Sequence, residues 1–193
     1  RSVELAMKNN LTLQVLSSIT KKTGTFIVNE NKLIEKEIVS GVSYSKNESK
    51  ITISGIRDRP GISAKIFGFL SSNNINVDMI VQNISQDGVN ANITFTVPDK
   101  DMKIAKEILD KNHKFIKFKN ISTNSNISKI SVIGMGMMSQ TGVAEKMFKA
   151  LADKKINILA ISTSEIKISV LIEKKYTNLA IKSLHSIYKL GKK

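Results

Sequence analysis

No cysteine occurs among the 193 residues, which excludes disulfides and thiolate metal sites. Histidine is reduced to His113 and His185, and neither has the partner spacing that metal ligation or triad chemistry needs. No apolar run reaches the roughly 18 residues of a membrane span. No charged-then-apolar stretch opens the chain. No membrane partner is therefore expected, and a cytoplasmic location is the default. No Walker-type phosphate loop is present. Arginine is scarce, with only Arg1, Arg57 and Arg59, so the net charge of +14 is carried almost entirely by lysine. The lysines are spread in pairs along the chain (Lys21-Lys22, Lys154-Lys155, Lys174-Lys175) rather than clustered as a nucleic-acid footprint would be. Dispersed lysine reads as solvated surface, and no nucleic-acid partner is expected.

What is present is enough apolar residue, 41%, for a real core, and an internal repeat. Lys50-Ile-Thr-Ile-Ser-Gly55 resembles Lys129-Ile-Ser-Val-Ile-Gly134, each an alternating strand closed by glycine. After each comes a turn and an apolar set at helical spacing: Ile62, Ile66, Phe69 and Leu70, then Val143, Met147, Ala150 and Leu151. Pro60 suits the turn or the first helical position. Residues 74–77 and 155–158 lead into a second strand, and 92–97 and 167–172 form a third. Helices over 99–111 and 174–189 follow.

The order is β-α-β-β-α, twice. Residues 114–119 are expected to supply the first copy with a fourth strand. The second copy ends in its helix and lacks one, and an open sheet edge is usually covered. The unassigned strand over 37–44 is the natural filler, which makes the first module an insertion in the second. Upstream, a helix capped by Ser2 and short strands near 11–16 and 23–28 look like the end of a preceding domain. The chain opens on Arg1 rather than Met, and is expected to be a piece of something longer.

The residues carry a specific resemblance. Asp58-Arg-Pro-Gly61 with Ala64-Lys-Ile-Phe67, followed by Asn74-Ile-Asn-Val-Asp-Met-Ile-Val-Gln-Asn83, resembles the first ACT domain of aspartate kinases. Ser162-Thr-Ser-Glu-Ile-Lys-Ile-Ser-Val-Leu-Ile172 resembles the second, and Arg1-Ser-Val-Glu-Leu-Ala6 the end of the kinase domain. The resemblance implies an α+β fold of two ferredoxin-like βαββαβ ACT domains, with antiparallel sheets and helices on one face. The divisions are 1–36 for the kinase-domain tail, 50–120 for the first ACT domain, and 37–49 plus 121–193 for the second. It implies a parent enzyme that phosphorylates aspartate with ATP toward lysine, threonine and methionine. The catalytic domain lies upstream, so these residues should be inactive alone. No cofactor is expected here; ATP and Mg belong to the missing kinase domain. Lysine and/or threonine are the expected effectors, and a homodimer through the ACT sheets the expected assembly.

A free amino acid presents two opposite charges at once. The turn after the first strand can meet both: a helix N-terminus offers N–H groups to the carboxylate, Gly61 lets the backbone approach, and Asp58 can take the ammonium. On its residues alone, Asp58 could equally shape the turn or cap the helix. The resemblance assigns regulatory roles to Asp58, Ser63, Gln82, Asn83, Ser85 and Thr94, with Gly61, Ile62 and Ala64 beside them. It places Asn76, Val77, Asp78 and Gln82 at a threonine site formed across a dimer. In the second module it points to Ser164 and Glu165, and to Met137, Gly142 and Val143 around the corresponding turn. That turn, Met138-Ser-Gln-Thr-Gly142, departs from the family's His-Pro before glycine, which leaves its side-chain contacts open.

Two other readings are weighed. One is an ACT pair serving another amino-acid enzyme, against which the kinase-like tail argues. The other is an RRM, which shares the βαββαβ order. It needs aromatics on the central strands to stack bases, whereas the third strands hold Ile93, Phe95 and Val97, and Ile168, Val170 and Ile172.

Overall fold

Along Glu48–Arg57, Ser49, Ile51 and Ile53 alternate with Glu48, Lys50 and Thr52. In an extended chain that period of two sends the sets to opposite faces. The computed structural model describes residues 2–20, 22–28, 38–86, 88–134 and 141–191. It divides into two units, 1–37 and 38–193.

The first unit holds helix α1 (Ser2–Lys8) and an antiparallel ribbon of β1 (Leu13–Val15) and β2 (Thr25–Ile27). Ser2 is the first residue of α1 rather than a cap outside it. Gln14 Nε2 donates to the Thr23 carbonyl at 2.8 Å across the ribbon's loop.

The second unit holds two four-stranded antiparallel sheets. One contains β4 (Glu48–Arg57), β5 (Ile80–Ile84), β6 (Asn90–Pro98) and β7 (Asn120–Asn124), in spatial order β5-β6-β4-β7. The other contains β3 (Gly41–Ser45), β8 (Ile127–Ile133), β9 (Ile158–Thr163) and β10 (Lys167–Glu173), in order β3-β8-β10-β9. Helices α2 (Ile62–Ser71), α3 (Met102–Lys111) and the short α4 (His113–Ile116) follow strands of the first sheet; α5 (Val143–Ala152) and α6 (Thr177–Ile187) follow those of the second.

Each sheet buries its apolar set against its own helices. Ile51, Ile53, Ile93 and Phe95 meet Ile66, Leu70 and Leu109; Ile130, Val132, Val170 and Ile172 meet Met147, Leu151 and Leu184. Each such side chain contributes about 1.5–3 kcal/mol of burial, so every module has a core of its own. The repeat extends to polar detail. Buried Ser49 donates to Asp99 Oδ1 at 2.7 Å, and buried Ser128 shares a 2.6 Å hydrogen bond with Thr177, each tying a first strand to the start of a last helix. Asp99 N–H donates to Asn47 O, and Lys174 N–H to Asn126 O, both at 3.1 Å.

The strand expected over 114–119 is not formed. The chain there continues helically, with Ile116 N–H donating to Asn112 O, then reverses at Lys117, whose φ is 56°. Burial of Ile116 and Phe118 with exposure of Phe115 imitates strand alternation, but a helical turn ended by a left-handed residue delivers the same two side chains. The first sheet's fourth strand is β7, which lies further along. In the second sheet, β3 pairs with β8 from Gly41 opposite Ile133 to Ser45 opposite Lys129. Of the 37–44 span read as a strand, Glu37 lies outside the described residues.

Two glycines set testable limits. A Cβ on Gly134 would stand 1.8 Å from the Ile38 carbonyl oxygen, where β3 docks, whereas one on Gly68 in α2 meets nothing within 4 Å. Gly134→Ala should cost about 1–3 kcal/mol through forced backbone movement. Gly68→Ala should stabilise by about 0.5–1 kcal/mol through helix propensity. Urea midpoints of the two variants should move in opposite directions. At the end of α6, Tyr188 Oη donates to the Val143 carbonyl at 2.7 Å. Burial pushes its pKa up from 10.0 to about 12, against a smaller lowering from the Met147 backbone. The folded state thus holds the phenol proton more tightly than the unfolded state. This contribution is complete below pH 10 and is lost as pH rises through about 12. Spectrophotometric titration should show a tyrosine step near pH 12 that Tyr188→Phe removes.

Candidate functional site

Strand β4 ends at Arg57, and the next four residues turn the chain into α2. Gly61, at φ 84°, occupies the left-handed region as N-cap, and among the described residues no side chain caps the helix. Among the described residues, no acceptor takes the backbone N–H of Ser63 or Ala64, so these groups are left for solvent or a ligand. Asp58 N–H donates to Val89 O at 2.8 Å, tying the turn to the β5–β6 hairpin. Ser63 Oγ donates to Gln82 Oε1 at 2.8 Å, tying it to edge strand β5. Asp58, Arg59, Gly61, Ile62, Ser63, Ala64 and Gln82 line an open cavity of about 470 Å³. The structure thus brings together six residues expected to act on a ligand, from Asp58 to Gln82. They offer a carboxylate, two free amide N–H groups, a hydroxyl and a carboxamide.

The pleat separates others from this group. Gln82 lies opposite Ile93 and so faces the helices, whereas Asn83, opposite Asn92, and Thr94, opposite Val81, face the other way. Thr94 Oγ1 is engaged with Thr52 Oγ1 at 3.0 Å. Ser85 N–H donates to Asn90 O at 2.7 Å and closes the hairpin. Asn76, Val77 and Asp78 line a second cavity of about 280 Å³, with Ser45, Asn47, Glu48 and Thr96. Ser164 and Glu165 form the β9–β10 turn, where Ser164 N–H donates to Lys167 O at 2.8 Å; they line neither of these cavities. Gly142, at φ 89°, and buried Val143 repeat the Gly61–Ile62 arrangement at the start of α5. Met137, with Met135, Met138, Ser139 and Gln140, lies outside the described residues.

The sequence reading named Asp78 but missed the charges of Glu48 and Lys129 beside it. Lys129, on the outer face of β8, reaches Glu48 on the outer face of β4 at 2.6 Å, and also pairs with Asp78. Burial alone would pull the Lys129 ammonium down, but hydrogen bonds to Asp78 and Glu48, with their negative charges, outweigh it and the net shift is upward. The one available signal was positional: Lys50 and Lys129 open equivalent strands, and alternation puts both opposite the core. Met79, Ile127 and Leu171 form a small buried cluster on this side, with Val81, Leu159 and Ala160 against it.

Among the described residues, no group of three or more His, Asp or Glu side chains could hold a metal ion, and no helix is long and apolar enough to cross a membrane.

Comparison with known proteins follows the same two modules. The ACT domain family model matches residues 50–113 and again 130–188. An aspartate kinase of Pseudomonas fluorescens is 45% identical over 191 residues, 98% of this chain and 46% of its own length. The chain spans about half the length of the curated relatives it matches. A structure of aspartokinase alpha and beta subunits is 42% identical with a TM-score of 0.73, covering 79% of this chain and 99% of that one. The regulatory subunit of aspartate kinase from Thermus thermophilus is 34% identical, with TM-score 0.73 and the same coverage. With two matches to the ACT model and nearly complete coverage of solved aspartokinase subunits, the chain belongs to the ACT-domain family as a regulatory region of the aspartokinases.

Proposed function

We propose that this chain binds lysine and/or threonine and passes the binding energy to a kinase domain that makes 4-phospho-L-aspartate from ATP and L-aspartate. The observation that carries the reading is the Asp58–Gly61 turn. Its left-handed glycine, two unaccepted N–H groups and neighbouring carboxylate match the opposite charges of a free amino acid. Ser63 and Gln82 would orient the ligand from the side. Asn76, Val77 and Asp78 form the second part of the effector surface. Ser164, Glu165, Gly142 and Val143 of the second module, with Met137, Asn83, Ser85 and Thr94, are the remaining effector positions; a lysine would sit between the two modules and a threonine across a dimer of first modules.

That assembly is a homodimer through the sheets. Edge strands β5 and β9 carry exposed Ile80, Ile84 and Ile161, which favours covering those edges. Residues 1–36 are the tail of the kinase domain; the first module is the 50–120 division extended by its own sheet to Glu48 and Asn124, and the second is built from β3 together with β8, β9 and β10. ATP and Mg are held by the kinase domain, and the whole enzyme is cytoplasmic. Effector binding shifts a population of module arrangements, with coupling of about 1–3 kcal/mol.

Calorimetric titration with lysine, threonine and phenylalanine tests the reading. Lysine or threonine should bind, and Asp58→Ala should weaken that binding at least about tenfold, the effect of losing a charge-assisted hydrogen bond, while the thermal melt is unchanged. Preference for phenylalanine would overturn the aspartate-pathway assignment, and full affinity in Asp58→Ala would remove Asp58 from the site.

A further inference from the structure

The charges at the second cavity do not balance. Glu48 and Asp78 bring two carboxylates, and Lys129 brings one ammonium. Among the described residues, Glu48 Oε2 is buried with no hydrogen-bond partner. An acceptor left open in a buried place is costly unless something uses it. The three groups also differ in access. Lys129 and Glu48 side chains are 16% and 12% exposed, but Asp78 is 49% exposed and lines the cavity of about 280 Å³. A molecule entering from solvent therefore meets Asp78 first. A lysine ammonium has three donors on a flexible stem, and Glu48 Oε2 offers it a second place to bond.

We propose that Lys129 is a tethered competitor of the effector: its ammonium occupies Asp78, and an amino acid that uses Asp78 binds by displacing it toward Glu48. This rests on the reading of Asn76, Val77 and Asp78 as effector residues. Lys129 stands on β8 and its partners stand on, or just ahead of, β4 and β5. Displacement consequently removes an ion pair that crosses from one module to the other. The residue sets the concentration at which the effector acts, and it carries the news of occupancy to the junction between modules.

The test is calorimetry of lysine and threonine on this chain, its Lys129→Met, Lys129→Arg and Asp78→Asn variants, with circular dichroism melts for each. Lys129→Met removes the competitor and should tighten binding about tenfold or more, the order expected for deleting a nearby like charge. Lys129→Arg keeps the charge and should stay within about threefold of the parent, since a factor of three is under 1 kcal/mol. Unchanged or weaker binding in a folded Lys129→Met variant overturns the proposal while leaving the effector reading intact. If Lys129→Met does not fold, Lys129→Gln replaces it with the same expectation. Parent binding that Asp78→Asn leaves untouched, or no binding by any variant, instead defeats the effector reading of the 76–78 segment, and the inference with it.

Discussion

Pairing of β3 with β8 is the constraint on which the rest of the second unit depends. A strand edge leaves a row of amide and carbonyl groups that must find partners. Among the described residues no strand follows α6, and β3 takes the edge of the second sheet from upstream. Having done so, the chain has only Lys46 and Asn47 before β4 opens the other sheet. The first module is thus tied at both ends to the second, by β3–β4 on one side and β7–β8 on the other. Glu48 stands at the start of β4 because of that short passage, and Lys129 stands near the start of β8 for the matching reason. Their ion pair follows from the topology.

Once the strands are placed, the pleat distributes the chemistry. Positions facing the helices carry mostly Ile, Val and Phe, with Ser49 and Ser128 among them, and the opposite positions mix Lys, Ser, Thr and Glu with the apolar Ile127 and Leu171. The outer faces are therefore polar where Thr52 meets Thr94 and Ser131 meets Ser169, and charged where Glu48 meets Lys129. The helix-facing side holds the Asp58 turn and Gln82. Two surfaces of different chemistry result from one period-two pattern. Asp78, just ahead of β5, donates its N–H to Thr96 O and pairs with Lys129 of the outer face.

Much of this was legible in the residues. Ile51, Ile53, Ile93 and Phe95 announce their strands by alternation, and Ile62, Ile66 and Leu70 their helix by spacing. The missing strand of the second copy and the unassigned strand upstream pointed to each other through edge chemistry alone. The stretch around Phe115 and Phe118 was misread, because a short helical turn ending at left-handed Lys117 shows the same burial order as a strand. The carboxylate pair at Glu48 and Asp78 was not legible, since its members lie 30 positions apart in the numbering, with the partner lysine at 129; only three-dimensional placement brings them together. The Asp58 turn could be read as a ligand site only with the family resemblance, because a lone Asp-Arg-Pro-Gly also serves as an ordinary turn.

Insertion of one module in another also dictates an order of assembly. Ser40 and Ile133, joined by a backbone hydrogen bond, are 93 residues apart. Closing a loop of that length is entropically expensive for an open chain. It becomes short-range once the intervening residues have condensed, because β4 and β7 are neighbours and return the two ends of the insert to one place. As the chain leaves the ribosome, the inner module is complete before the outer one has its own helices. The outer sheet then closes on a scaffold already built, so the turn at Asp58 is in place before the ion pair between Glu48 and Lys129 that joins the two modules.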